Sequence, residues 1–363
     1  MTRGCVTYSI VFIAGILSVH LCSPSFPITA TLLAILLALA YTTRKRALMF
    51  LTISHIALFV AGVQSGTLSK GKENLPPDKL SSSIQAKSGT IKLKCVEFIG
   101  KITDTPENKV ILCALTIGEK GDMEREFRES WSKAGAMHLL ALSGLHVGII
   151  YAISDSLLSI LGIFPIGGVL RWGISILILL GYMVISGCSP SVVRACTMIF
   201  IYKLSQRKFR DTGKWDAIAI AALITGVLAP WQVTSIGFQL SYAAVAGIAA
   251  LYPVCRMAFV MCAEKWGTTN GAAYGVFLKI WECISISICC QIATLPLLII
   301  YFGGYAQHFL LTNLVAIPLV TGILYLFVML VSTHWLPYAS DFLTWAINVA
   351  LTLLHSWINF ISG

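Results

Sequence analysis

The chain has 363 residues, of which 57% are hydrophobic and 12% are charged, and its formal net charge is +10. Soluble domains carry about 25% charged residues, so this composition excludes one large soluble core and predicts a polytopic membrane protein. The basic excess is the bias expected of the cytoplasmic loops of such a protein, and by itself it does not indicate nucleic-acid binding.

Apolar runs predict an all-α helical bundle with about eleven membrane spans. The first run is long and is followed soon by a second, so it is interpreted as a retained span and not as a cleaved signal peptide. A full crossing needs about 20 residues, so the run at 190–205 is expected to be broken or re-entrant. The predicted helices cover residues 5–22, 28–43, 47–63, 137–162, 169–187, 190–205, 215–231, 236–260, 274–301, 308–333 and 341–361.

Two basic clusters predict the orientation of these spans. Arg44-Lys45-Arg46 and the loop at 203–214 are expected on the cytoplasmic side. Alternating spans from a cytoplasmic N-terminus satisfy both clusters and put the C-terminus outside the cytoplasm. The chain then divides into N-terminal spans (1–63), an extracytoplasmic segment with a linker and amphipathic helices (64–135) and a membrane core (136–363).

The extracytoplasmic segment is expected to begin with a linker and to continue as three short amphipathic helices on the bilayer surface. Residues 65–90 are rich in Ser, Lys, Gly and Pro, which is typical of a linker. The second helix has the clearest limits, with Thr105 as N-cap, Pro106 at the first helical position and Gly118 after its end. Helices of this kind between spans usually lie on the membrane surface.

Two of the eleven cysteines lie in this polar segment. Cys95 and Cys113 are expected on adjacent helices on the oxidising side of the membrane, which makes them a candidate disulfide, although both lie on apolar faces. The other cysteines are scattered, mostly through apolar runs. No Cys/His cluster has zinc spacing and no Asp-rich set is present, so neither a metal nor another cofactor is expected.

The most informative stretch is HLLALSGLHVG, at residues 138–148, which places ionisable groups in a run long enough to cross a bilayer. Such groups are costly in lipid and usually mark a pathway or a tight helix contact. His146 is expected near the middle of the span at 137–162, on one face with Ser143. Three interpretations are open for His146: a structural hydrogen bond, a pore-facing position, or a Ser–His dyad with Ser143 in an intramembrane hydrolase.

Other charged and polar residues are expected to face the interior of the bundle. Ser189 and Pro190 are typical of the N-cap and first position of a helix. Arg194 follows one turn into that helix, and two interpretations of it are open: a phosphate contact at the helix N-terminus, or a structural arginine bonded to backbone carbonyls. Asp155 is expected to face water or to pair with Arg171.

Polar residues near Pro or Gly breaks recur on several spans and predict a polar interior, because irregular backbone at depth is tolerated only in protein or beside water. Arg194, His146, Gln239 and Asn313 are expected to converge on one path. The full candidate set for the path is Ser143, His146, Ser191, Arg194, Gln239, Ser241, Gln291 and Asn313, with Phe238 and Tyr242 as candidate stacking aromatics.

The string HLLALSGLHVG also resembles the signature of the ComEC family of bacterial competence proteins. SPSVVRA, GFQLSY, QIATLP and NLVAIP follow in the family order, and the likeness spans about 105–320. The resemblance implies an all-α channel core in the bacterial inner membrane that admits single-stranded DNA during natural transformation. It implies membrane lipid, a DNA receptor, a cytoplasmic DNA translocase and a separate nuclease as partners, and it is compatible with an oligomer.

Many members of that family also carry an OB-like and a metallo-β-lactamase-like domain, and neither is recognisable in this sequence. The linker is too short for an OB barrel, and no HxHxDH motif is present. The chain is therefore expected to have no nuclease activity and not to be an enzyme. Two alternatives from other classes are a permease for a small solute and an intramembrane hydrolase that uses Ser143 and His146.

Overall fold

The structure is a computed structural model that describes residues 7–16, 61–63, 79–119, 121, 123–163, 167–208, 214–265, 272–302 and 308–363. Every regular element in these ranges is helical, which confirms the all-α prediction. The predicted helix at 28–43 lies outside the described residues, as do most of the helix at 47–63 and the part of the helix at 5–22 beyond residues 7–16.

From α2 onward, the helices follow one another at short intervals of sequence. Their bounds are α1 (Thr7–Ile16), α2 (Lys79–Ile102), α3 (Pro106–Ile117), α4 (Arg125–Lys133), α5 (Gly144–Leu157), α6 (Gly167–Ile185), α7 (Pro190–Lys208), α8 (Lys214–Leu228), α9 (Ile236–Lys265), α10 (Ala272–Phe302), α11 (Phe309–Thr333) and α12 (Pro337–Ser362), with 3₁₀ turns at Leu158–Ile163 and Pro230–Gln232.

Among the described residues, four helices are long and apolar enough to cross a membrane. They are α6, α11, the part of α9 from Ile236 to Glu264, and the part of α10 from Phe277 to Phe302. The chain is therefore a membrane protein by length and composition of its helices, but the count of eleven spans is not confirmed. Several predicted spans, such as α5 and α8, are shorter than the ~20 residues that a crossing requires.

The segment before the core departs from the prediction in two ways. Helix α2 begins at Lys79, so the predicted linker is wrong from that residue onward. Helix α3 has the predicted caps: the Thr105 side chain accepts a hydrogen bond from the Asn108 N–H at 3.2 Å, and Gly118 follows with φ +71°. However, α3 does not lie on the surface. Its sequence KVILCALTI is apolar on nearly all sides, and such a helix is buried in protein.

By its contacts, the chain divides into two compact units, the first of residues 1–78 and 197–249 and the second of residues 79–196 and 250–363. In the first unit α1 packs against α8, where the Ser9 hydroxyl donates to the Ala219 carbonyl at 2.7 Å. Phe12 and Ile16 of α1 form a small core with Phe238 of α9.

The second unit has one large apolar core. It is built from α2 to α5 with the antiparallel pair α11 and α12, and it includes Trp131, Leu139 and Leu140, none of which is more than 1% exposed. Asn348 joins α12 to the turn between α2 and α3. Its amide donates to the Ile102 carbonyl at 2.8 Å and accepts from the Asp104 N–H at 3.1 Å.

Candidate functional site

The residues of the HLLALSGLHVG stretch begin as an irregular loop and not as a membrane helix. Residues 134–143, here called the signature loop, form turns between α4 and α5. Gly135 has φ +74°, a conformation that favours glycine, and its carbonyl accepts a hydrogen bond from His138 Nδ1 at 2.8 Å. The predicted helix at 137–162 is therefore wrong in its first turns, because helix α5 starts only at Gly144.

A Ser–His pair marks the start of α5. His146 Nδ1 lies 3.3 Å from the Ser143 backbone nitrogen and 2.9 Å from Ser143 Oγ, which is the arrangement of a capping box. His146 is therefore at the third position of α5 and not in the middle of a span, as predicted. Because its Nδ1 accepts the Ser143 N–H, the ring carries its proton on Nε2.

Helix α7 begins against the same loop. Gly187 and Cys188 have φ of +72° and +52°, so the chain reverses sharply after α6 and directs α7 back along it. The Ser191 hydroxyl then donates to the Leu142 carbonyl of the signature loop at 2.7 Å. A Cβ on Gly144 would lie only 3.6 Å from Ala195 Cβ, so the first turns of α5 and α7 are in close contact.

Helix α11 meets the other end of the loop. In its first turn the buried Thr312 hydroxyl donates to the Ala134 carbonyl at 2.6 Å. The next side chain, Asn313, lies beside the His138 imidazole. The signature loop is thus held at both ends and contacts the beginnings of α5, α7 and α11.

Three helix N-termini at one loop make a site suited to anions. A helix N-terminus leaves backbone N–H groups without partners inside the helix and carries about half a positive charge. Arg194, one turn inside α7, carries a permanent charge and is only 3% exposed. Within the described residues, His146 Nε2 is buried without a hydrogen-bond partner, so one donor is available near the loop.

Five of the eight predicted path residues lie in the signature loop or in the first two turns of the helices that begin beside it: Ser143, His146, Ser191, Arg194 and Asn313. Gln291 lies half-buried on α10, one turn before Pro296, in the same unit. Gln239 and Ser241 belong to the first unit, where the Gln239 amide donates to the Thr234 carbonyl at 3.3 Å.

The two predicted stacking aromatics also lie in the first unit. The rings of Phe238 and Tyr242 contact each other with centroids 4.4 Å apart. Phe238 is 5% exposed and belongs to the core of that unit. Its ring is thus engaged in packing, and the structure gives no support for base stacking by this residue.

A second polar feature joins α5 and α6. Arg171 Nε donates to Asp155 Oδ1 at 2.8 Å, and its second nitrogen reaches the other carboxylate oxygen, so the pair is bidentate. This confirms the pairing expected from the sequence. Along the same face of α6, Ser175 and Tyr182 are buried, and their hydroxyls lack hydrogen-bond partners among the described residues. The sequence analysis did not predict that Ser175 and Tyr182 are buried polar residues. Their spacing of seven residues, which puts them on one face of α6, was the signal that could have identified them.

Cys95 and Cys113 are free thiols in the structure, which therefore does not show the predicted disulfide; the disulfide stays a prediction. Burial raises the pKa of the Cys113 thiol to about 11, and Cys95 lies near enough to contribute to that rise.

The part of the chain that the structure describes contains no group of three His, Cys, Asp or Glu side chains that could hold a metal ion.

The family model for competence proteins matches residues 115–363, which include the signature loop and all three helix beginnings. The chain belongs to this family, the ComEC family. It is 28% identical over 222 residues to ComE operon protein 3 of Bacillus subtilis, covering 60% of this chain and 25% of that protein. It is 27% identical over 227 residues to the uncharacterized protein YcaI of Escherichia coli, covering 60% and 28%. The matches therefore span little more than a quarter of these relatives. No solved structure matches the chain.

Proposed function

We propose that this competence protein forms part of the route by which single-stranded DNA crosses the bacterial cytoplasmic membrane. Family membership supports a role in competence. The observation that carries the finer proposal is the meeting of three helix N-termini, with Arg194, at the signature loop. Oriented helix ends of this kind bind anionic groups near the midplane of other membrane transport proteins.

The strength of the site suits transient contact with phosphates. A favourable helix N-terminus stabilises an anion by about 0.3–1 kcal/mol, and by up to ~2 kcal/mol where it is partly buried. Each end that a phosphate contacts therefore contributes at most about 2 kcal/mol, which alone corresponds to binding weaker than millimolar. Conduction requires binding that is favourable enough to enter and weak enough to leave.

The proposal extends to the orientation and the partners of the chain. The N-terminus is cytoplasmic and the C-terminus extracytoplasmic, which follows from the basic clusters. A DNA receptor, a cytoplasmic translocase and a nuclease are separate proteins, and this chain acts without catalysing a reaction.

Charge reversal at the loop tests the proposal. Asn313→Asp conserves side-chain volume but places a negative charge at the site, so uptake of labelled DNA should fall to the level of the deletion strain. Asn359→Asp introduces the same change on the exposed face of α12 and should leave uptake unchanged. Both proteins are quantified in membranes by immunoblot. Normal uptake with Asn313→Asp at normal protein level would refute the assignment.

One observation favours a second candidate, the intramembrane hydrolase. Ser143 Oγ lies 2.9 Å from His146 Nδ1, within range for activation of a hydroxyl by a base. The Ser143 backbone N–H also lies 3.3 Å from Nδ1, which the helix cap alone explains. Labelling of Ser143 by a fluorophosphonate, with loss of the label in Ser143→Ala, would establish this activity.

A further inference from the structure

Helices α9 and α10 are joined by a set of polar contacts in the second unit. The Tyr252 hydroxyl donates to Glu282 Oε1 at 2.9 Å, and Arg256 Nε lies 3.4 Å from the same oxygen. The Trp281 indole N–H donates to the Cys255 carbonyl at 2.9 Å. These contacts involve both side chains and backbone, so they fix the register of one helix against the other.

Two thiols face each other within this register. Cys255 Sγ and Cys289 Sγ are 3.9 Å apart, which is van der Waals contact. Cys289 is fully buried and Cys255 is half-buried. A disulfide bond is about 2.05 Å long, so the sulfurs need to approach by about 1.9 Å for the bond to form.

We propose that Cys255 and Cys289 form a dithiol site that is oxidised to a disulfide between α9 and α10. The site stands on this geometry and does not depend on the role in DNA uptake. Both residues lie in helices long and apolar enough to span a membrane, so the relevant oxidant is one that dissolves in the bilayer. A lipid hydroperoxide is such an oxidant.

The reaction balances with that oxidant alone. The first sulfur attacks the terminal peroxide oxygen, the O–O bond breaks, and the products are a sulfenic acid and a lipid alcohol. The second sulfur then attacks the sulfenic sulfur and displaces water, which forms the S–S bond. Two thiols lose two protons and two electrons, and the hydroperoxide is reduced to alcohol and water.

The disulfide would lock the two helices beside a kink. Pro253 lies inside α9, two residues before Cys255, and a proline in a helix interior removes one hydrogen bond and bends the helix. Polar contacts such as that between Arg256 and Glu282 are partly exposed and can break and re-form. A disulfide bond does not break and re-form in this way, so oxidation fixes α9 against α10 at the position of Cys255 and Cys289.

Neighbouring cysteines provide matched controls. Cys290 follows Cys289 directly and points about 100° away around the helix, and Cys283 lies earlier on α10. Both are half-buried free thiols. Cys290→Ser and Cys283→Ser should therefore retain the cross-link, whereas Cys289→Ser and Cys255→Ser should abolish it.

The test uses the full chain in membrane vesicles treated with cumene hydroperoxide. After denaturation, free thiols are alkylated with a polyethylene-glycol maleimide and counted by gel shift, and proteolytic peptides are analysed by mass spectrometry. The expected result is the loss of two alkylatable thiols, reversed by dithiothreitol, with one linked peptide pair that contains Cys255 and Cys289. Full alkylation of both after oxidation, oxidation of either to a sulfinic acid without cross-linking, or a cross-link that persists in Cys289→Ser would overturn the proposal.

Discussion

Two hydroxyl groups hold the signature loop in place, and removing either should loosen it. Ser191 donates to the Leu142 carbonyl near the C-terminal end of the loop, and Thr312 donates to the Ala134 carbonyl at its N-terminal end. Ser191→Ala and Thr312→Val each delete one of these donors with little change in side-chain size. The loop should then open more often, while the helices around it stay folded.

The expected magnitude follows from the hydrogen bonds lost. One intramolecular hydrogen bond contributes about 1 kcal/mol, and a buried carbonyl left without its donor costs about 1–3 kcal/mol. We expect each substitution to lower the free energy of loop opening by about 1–2 kcal/mol, which raises amide exchange in the loop about 5- to 30-fold. The two contacts are at opposite ends of the loop, so the effects should nearly add.

Hydrogen exchange with mass spectrometry, on the protein in lipid nanodiscs, measures this directly on peptides that cover residues 136–143. Thr321→Val is the matched control, because the Thr321 hydroxyl bonds only the Ile317 carbonyl of its own helix. If the loop in Thr312→Val exchanges no faster than in Thr321→Val, the contact to Ala134 does not hold the loop, and the argument for a fixed site fails.

Three further predictions concern the rest of the second unit. Asn348→Ala should lower the free energy of unfolding by about 2–4 kcal/mol, because the buried Asn348 amide bonds two backbone groups of the turn between α2 and α3. Asn359→Ala, on the exposed face of α12, should have little effect. Denaturant titration in detergent measures the free energy of unfolding of both variants. Asp155→Asn should destabilise the protein more than the double variant Asp155→Asn/Arg171→Gln, because the single change leaves a partly buried cation unpaired; equal effects would show that the pair is uncoupled. Maleimide should alkylate Cys113 slowly, with a rate that rises about tenfold per pH unit between pH 7 and 10, because the thiolate that reacts forms only as the pH approaches the raised pKa of about 11. A rate that does not change over this range would contradict that expectation.

Local chemistry explains which helices the sequence predicts well. The limits of α3 follow from Thr105, Pro106 and Gly118, whose roles depend only on near neighbours. The pairing of Asp155 with Arg171 follows from the cost of an isolated charge in an apolar segment. In both cases the deciding energy term is visible within a short stretch of chain.

The start of α5 was mispredicted because hydropathy does not distinguish lipid from a protein core. Leu139 and Leu140 read as part of a membrane span, but both are buried among other helices of the second unit. Within this apolar run the capping signal of Ser143 and His146 is easily overlooked. The same ambiguity hid the burial of α3, whose apolar surface packs against α2, α11 and α12.

The contacts that assemble the site depend on residues far apart in the chain. Thr312 is 178 positions from its partner Ala134, and Asn348 is 246 positions from Ile102. A single sequence carries no signal for such a pairing. The polar composition of the site was therefore predictable, but the meeting of three helix beginnings at one loop required the structure.

Photo-cross-linking during DNA uptake is the most direct test of the proposed role. Leu145 lies in the first turn of α5 and is 38% exposed, so a benzoyl-phenylalanine placed there can report on any strand that passes the loop. The same group at Leu177, which is exposed on α6, serves as the control. We predict that irradiation during uptake links labelled single-stranded DNA to position 145 and not to position 177. Uptake at the normal rate with no cross-link at position 145, or with equal cross-linking at both positions, would contradict a DNA route along the signature loop.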